Sequence, residues 1–279
     1  MNAHTTRRRA AIAIALGLVA AFIGFAGPMV YARFADTSAK DRIAAAPPPA
    51  LFGDKQVARV DELVDPESAK AAELMRQWWA AHDRKKHDKE FAAWLIEVFP
   101  APPSESDRKA EMREIETLNT QRSPEGISAA TWLEAYGKKD VWKLYAHDQA
   151  ELLPAATGEA HKQAVKDMLK MSKSVADELG QKFKQSAPYV LEPALRTDHI
   201  VKPGDVCPCS YPSRHAAAAA ASRTYLGAYE PHRVPEYRWM EDEIDFSRLY
   251  MAGHVPSDIS GGALLGDLIG EYFQVTRAS

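Results

Sequence analysis

The chain has 279 residues, 46% of them hydrophobic and 26% charged, which is ordinary globular composition with enough apolar material for a sizeable core. The formal charge is -3. Arg7, Arg8 and Arg9 stand in a leader-like segment, and the 35 basic residues less these three leave 32 against 38 acidic ones, a mildly acidic body that argues against nucleic acid as the main partner while leaving room for a local basic pocket.

At the N-terminus, Arg7-Arg8-Arg9 precede an apolar stretch from Ala10 to Ala26, then Gly27-Pro28 and Val30-Tyr31-Ala32. A charged, an apolar and a small-residue region in that order match a secretory signal cut after Ala32. The alternative is an uncleaved anchor, since Ala10 to Ala32 is just long enough to span a bilayer. Residues 1–32 are thus expected to be a signal peptide or membrane anchor, and the body periplasmic or secreted. Residues 33–60, with Pro47-Pro48-Pro49, read as a linker. Residues 61–279 read as a single domain.

From Pro66 onward the pattern is helical. Ala72, Met75, Trp78 and Trp79 recur at helix spacing, as do Phe91, Trp94, Leu95 and Val98 before Pro100 ends the run. Ser104 to Gln121 predicts a charged amphipathic helix. Ile127 to Leu153 predicts two helices broken near Gly137, and Thr157 to Phe183 one more. Tryptophan and tyrosine at this spacing belong to a core. His82, His87, His147 and His161 fall on polar faces and are expected at the surface. Pro188 to Ser210 reads as a long loop, of the kind that often carries function, and His199 and Lys202 in it are candidates to line a site. Three helices follow: from near Ser213, over Glu236 to Ala252, and from Pro256 to Phe273. No long period-two alternation occurs, so the fold class is all-α. Cys207 and Cys209 are separated only by Pro208; a bridge so close is strained, and structural or free thiols are expected.

Chemistry concentrates in two segments. Ser210-Tyr211-Pro212-Ser213-Arg214-His215 opens an alanine-rich helix, where serine is a natural N-cap. Ser247-Arg248 is followed after five residues by His254, and after three more by Asp258, with Pro256 at a helix start. Helix N-termini favour anions. A phosphomonoester needs a nucleophile, a proton for its leaving oxygen and cations about its equatorial oxygens. A histidine oriented by a carboxylate serves as the first, a second histidine as the second, and arginine as the third.

These segments resemble motifs two and three of the type 2 phosphatidic acid phosphatase superfamily, which includes bacterial class A non-specific acid phosphatases, lipid phosphatases and vanadium haloperoxidases. Motif two, Pro-Ser-Gly-His, is matched by Pro212-Ser213-Arg214-His215. Motif three, Ser-Arg, five residues, His, three residues, Asp, is matched without a gap. Four fixed positions match by chance at about one start site in 10^5. The resemblance covers roughly the last 100 residues and is nearest to the acid phosphatases. It implies an all-α bundle of that type, with His254 as the nucleophile that becomes a phosphohistidine, Asp258 orienting it, and His215 protonating the leaving group. Arg248, Ser213 and Arg214 would bind phosphate.

Motif one, a lysine followed after six residues by Arg-Pro, is degenerate. Gly180 stands at the lysine position and Ala187, before Pro188, at the arginine position. Lys182 and Lys184 lie on the same segment as candidate substitutes, or are solvated surface lysines. The expectation is an exported phosphomonoesterase acting on a small phosphorylated substrate without metal or cofactor, and a homo-oligomer is compatible with it. Two alternatives share the cage: a haloperoxidase, for which vanadate would be the cofactor, and a weak or inactive binding protein.

Overall fold

The computed structural model describes residues 38–196 and 209–277. The described residues are helical with no strand, only an isolated bridge between Ser186 and Cys209. Residues 1–37, on which the expected leader falls, lie outside them, as do His199, Lys202 and Cys207. The helices are α1 Ala39–Ala45, α2 Asp54–Val57, α3 Arg59–Ala81, α4 Asp88–Val98, α5 Glu105–Thr120, α6 Pro124–Tyr136, α7 Asp140–Glu151, α8 Ala155–Phe183, α9 Pro188–Leu191, α10 Arg214–Tyr229, α11 Val234–Tyr250 and α12 Pro256–Arg277. No described helix is long and apolar enough to cross a membrane.

Local chemistry sets the helix boundaries. Ser104, Ser123 and Ser213 each cap a helix, their hydroxyls accepting from Asp107, Gly126 and Ala216. α3 starts at Arg59, earlier than the sequence pattern predicts, and continues through Pro66. Proline forfeits one helical hydrogen bond there; buried Val60, Val64, Ala71, Met75 and Trp78 continue one packed face on both sides of it. The expected linker also differs. Over residues 38–60 the chain is packed onto the body: Ile43, Phe52 and Val57 are buried, Arg42 pairs with Asp140, and the Trp132 indole donates to the Ala46 carbonyl at 2.8 Å. The expected loop after Pro188 holds α9 and a 3₁₀ turn, Pro193–Leu195, before leaving the described residues.

α10 and α12 form the centre. Gly262, Gly266 and Gly270 of α12 face Ala216, Ala217, Ala220, Ala221 and Thr224 of α10. Each step of four on one helix meets a step of four on the other, so the two run parallel. The approach leaves no room for a side chain: a Cβ at Gly266 would lie 2.5 Å from the Ala217 carbonyl oxygen. α11 returns antiparallel between their sequence positions, with Arg223 of α10 bonded to Glu241 of α11 at 2.6 Å and to Asp267 of α12 at 2.7 Å. Around this trio lie an aromatic cluster of Trp78, Phe91, Trp94 and Tyr272 and a second layer from α6, α7 and α8.

Two expectations are corrected. His161 is not at the surface: it is 3% exposed and packed against the rings of Tyr225 and Tyr229, and burial lowers its pKa. Its neighbours on α8 are small or apolar, so helix periodicity carried it inward with them. Cys209 is disulfide-bonded, in a chain with two cysteines, which corrects the expectation of structural or free thiols.

Replacing Gly266 with Ala tests the close approach. Alanine improves helix propensity by about 1 kcal/mol in an open helix, whereas overpacking costs about 1–3 kcal/mol. A lowered Tm is expected; an unchanged or raised Tm contradicts the packing.

Candidate active site

The parallel arrangement puts the N-termini of α10 and α12 side by side, and the C-terminus of α11 at the same end. One backbone bond ties the two motifs: the Ser213 N–H donates to the Asp258 carbonyl at 2.9 Å. Tyr211, ahead of a cis peptide to Pro212, anchors the motif-two turn. Its hydroxyl donates to the Pro100 carbonyl at 3.0 Å, and its ring fills the space beside Gly261.

The turn from Arg248 to His254 is a Schellman closure of α11. Ala252 N–H donates to Leu249 O and Gly253 N–H to Arg248 O, both at 3.0 Å, with Ala252 left-handed at φ 54°. It redirects the chain so that His254 stands just ahead of α12. Asp258, in the first turn, is fully buried. Its Oδ2 accepts from the Val255 N–H at 3.0 Å, the reach-back half of a capping box, and faces His254 Nδ1 at 3.6 Å. That distance exceeds hydrogen-bond reach.

Arg108 of α5, which no motif marks, holds the other oxygen. Its Nη1 donates to Asp258 Oδ1 at 2.8 Å and its Nη2 to Ser210 Oγ at 3.2 Å. Burial by itself raises the pKa of Asp258, but His254 and Arg108 outweigh it and the net shift is downward. The carboxylate therefore stays ionised beside His254. Glu111, one turn along α5, accepts from the Ser257 N–H and hydroxyl, both at 2.8 Å, and so fastens the start of α12.

Arg248 is 3% exposed. Its Nε donates to Ser247 Oγ at 3.0 Å and its Nη2 to the Ala130 carbonyl at 2.9 Å. Burial lowers its pKa to about 10, so it remains cationic at neutral pH. The His215 ring belongs to the same group. Its Nε2 donates to the Glu134 carbonyl at 3.1 Å. Burial, then the charge of Arg248, push its pKa well below the usual histidine value, and the fields of His254 and Lys138 add to this.

The other expected phosphate ligands are placed differently. Ser213 is fully buried, its hydroxyl engaged as the α10 cap. Arg214 is exposed and leans to Asp177 of α8 at 3.0 Å. Lys182 donates to the Ile96 carbonyl at 2.6 Å and lines a cavity of about 520 Å³ with Gly180, Cys209 and Arg214, whose lining includes neither His215 nor His254. Lys184 is the left-handed cap of α8. At Gly180 a Cβ would lie 3.5 Å from Cys209 Cβ, so the bridged cysteine packs against the motif-one lysine position.

Cations that the motifs do not mark come from elsewhere. Arg196, 8% exposed, bonds Glu134 Oε2 at 2.7 Å through Nη2, and Arg248 Nη1 meets the same oxygen at 3.3 Å. Lys138, four residues beyond Glu134, has its pKa lowered by burial and by the charges of Arg214 and Lys139, with Arg248 adding a little and Glu134 opposing. Arg248 and Lys138 therefore act on His215, and Glu134 links Arg248 to Arg196. Among the described residues no group of three or more His, Cys, Asp or Glu side chains is arranged to hold a metal ion. No family model matches the chain, and no curated protein matches it.

Replacing Arg108 with Met would strand the buried Asp258 carboxylate, a loss of about 3–5 kcal/mol by analogy with broken buried pairs. Asp258's depressed pKa stabilises the fold above its unfolded value of about 3.9, and that contribution disappears as pH falls through the folded value. Denaturant unfolding should therefore show a large loss at pH 7 that narrows toward pH 3. A loss below about 1 kcal/mol at pH 7 contradicts the pairing.

Proposed function

We propose that the chain is an exported phosphomonoesterase of the acid-phosphatase kind, acting through a phosphohistidine. The observation that carries this reading is the gathering of His215, Arg248, His254 and Asp258 at one end of a parallel helix pair, from segments about forty residues apart along the chain.

In this reading His254 Nε2 attacks phosphorus in line with the ester oxygen. Asp258 keeps the proton on Nδ1, so the lone pair stays on Nε2, and it stabilises the cationic ring that forms. Arg108 keeps Asp258 ionised and fixed. Arg248, aided by Arg196, meets the charge on the transferring oxygens. His215 gives its proton to the departing alkoxide as the P–O bond breaks. Water then attacks the phosphohistidine, His215 removes its proton, and inorganic phosphate leaves.

The paired N-termini of α10 and α12 add a favourable field for the dianion. Loss of the motif-one cations at Gly180 and Ala187 is offset in part by Arg196 and Lys138, which approach from other elements. The same cage is the basis of the haloperoxidase alternative, in which vanadate would occupy the phosphate position.

Phosphate release from an aryl phosphate, inhibited by vanadate, is expected from the wild-type protein. His254→Ala should lose at least about a thousandfold, as nucleophile removals do; full activity in that variant sinks the reading. The pH profile carries a second prediction. The acid form of His215 disappears as pH rises through its lowered pKa, so kcat/KM, which reports the free enzyme, should already be falling with rising pH below about 6.5. A profile that rises to a plateau above pH 7 contradicts the assignment of His215 as the acid.

A further inference from the structure

Glu134 has no part in the reaction as written, yet it touches both halves of the site. Its main-chain carbonyl holds His215 Nε2 at 3.1 Å. Its Oε2 lies between Arg196 Nη2 at 2.7 Å and Arg248 Nη1 at 3.3 Å. A carboxylate against two guanidinium groups reproduces what one edge of a phosphate would do there.

Arg248 does not depend on this contact for its position. Ser247 Oγ and the Ala130 carbonyl already fix two of its nitrogens. The contact with Glu134 is also longer than the roughly 2.7–2.9 Å of a charge-assisted hydrogen bond, so Arg196 is the firmer holder of the carboxylate. Exposure differs in the same sense: the Glu134 side chain is 32% exposed, against 4% for Arg248 and 8% for Arg196. The two cations are nearly buried and fixed, whereas the carboxylate is a third exposed, on a flexible stem, with solvent on one side of it. Lys138, whose ammonium already feels Glu134, lies on the exposed side to receive it.

We propose that Glu134 is a built-in competitor for the oxyanion: its carboxylate covers Arg248 and swings away when phosphate binds, a step that rests on the phosphoryl-transfer reading above. The exchange has a consequence for specificity. A monoanionic phosphodiester replaces one negative charge with one and gains nothing electrostatically. A dianionic monoester gains a full charge. The cost of displacing Glu134 is common to both ligands, so it leaves a weakly held diester largely unbound while the more strongly attracted monoester still binds.

The test is calorimetric titration of the full chain with inorganic phosphate and with dimethyl phosphate at pH 7.5. Glu134→Gln should bind inorganic phosphate at least about tenfold more tightly than wild type, about 1.4 kcal/mol. It should tighten dimethyl phosphate by about the same factor, because either ligand must displace the same carboxylate. Glu134→Asp, which withdraws the charge by one methylene, should tighten phosphate binding a few-fold and serves if the Gln variant does not fold. Affinity equal to or weaker than wild type in the folded variants overturns the competitor and makes Glu134 a support for Arg248. Tighter binding without turnover of any monoester keeps the competitor and removes the phosphatase reading. Failure of every form to bind phosphate overturns both.

Discussion

Gly262, Gly266 and Gly270 let α12 lie against the alanine face of α10 with backbone nearly touching side chain. That contact sets the register and direction of the two helices, and other features of the site follow from it. A larger residue on either face would force the helices apart or change their crossing. Held parallel, they bring Ser213 and Asp258 close enough for a main-chain hydrogen bond between motifs. Two positive helix ends then meet, an arrangement that repels itself unless anions compensate. Asp258 and Glu111 supply that compensation inside the protein, and an oxyanion would supply more. The antiparallel return of α11 is what a short connection between parallel helices requires, and it delivers Arg248 to the same end.

The same trio buries an unusual density of charge. Glu241, Glu243, Asp245 and Arg248 on α11 are all nearly inaccessible. Glu241 is matched by Arg223, and Glu243 accepts the Phe52 N–H at 3.0 Å, which docks the N-terminal segment. Neither carboxylate oxygen of Asp245 has a hydrogen-bond partner among the described residues, and burial, then Glu241 and Asp242, push its pKa well up. Burial likewise raises Asp242 to about 8, against the pull of Arg238. These acids favour the folded state most at low pH, below their unfolded values, and lose that advantage as pH rises. His161 and His215 are shifted in the opposite sense and lose stability as pH falls.

Much of this was legible in the sequence because it depends on local periodicity and fixed spacing. The all-α class follows from apolar residues at helical intervals, and α5, α6, α7, α8 and α12 lie close to their predicted spans. The spacing of Arg248, His254 and Asp258 is readable because one turn and one helix start determine it. Arg108, Glu134, Lys138 and Arg196 were not readable: each reaches the site from a distant element, through contacts that no one-dimensional pattern encodes. In sequence Arg108 and Glu134 look like the solvated charges of amphipathic helices. His161 misled for the converse reason, since a polar residue type says little once a helix face is closed by Tyr225 and Tyr229. The packing of residues 38–60 was hidden by a proline run that breaks helix but still lays an extended chain against α6 and α11.

The central claim is that this helix pair presents His254 to phosphorus with Asp258 behind it. Rapid quenching with a radiolabelled aryl phosphate, followed by peptide mapping, tests it most directly. The account predicts one acid-labile, base-stable phosphoryl group, on His254. Steady turnover with no such species, or a phosphoryl group on any other side chain, would contradict it.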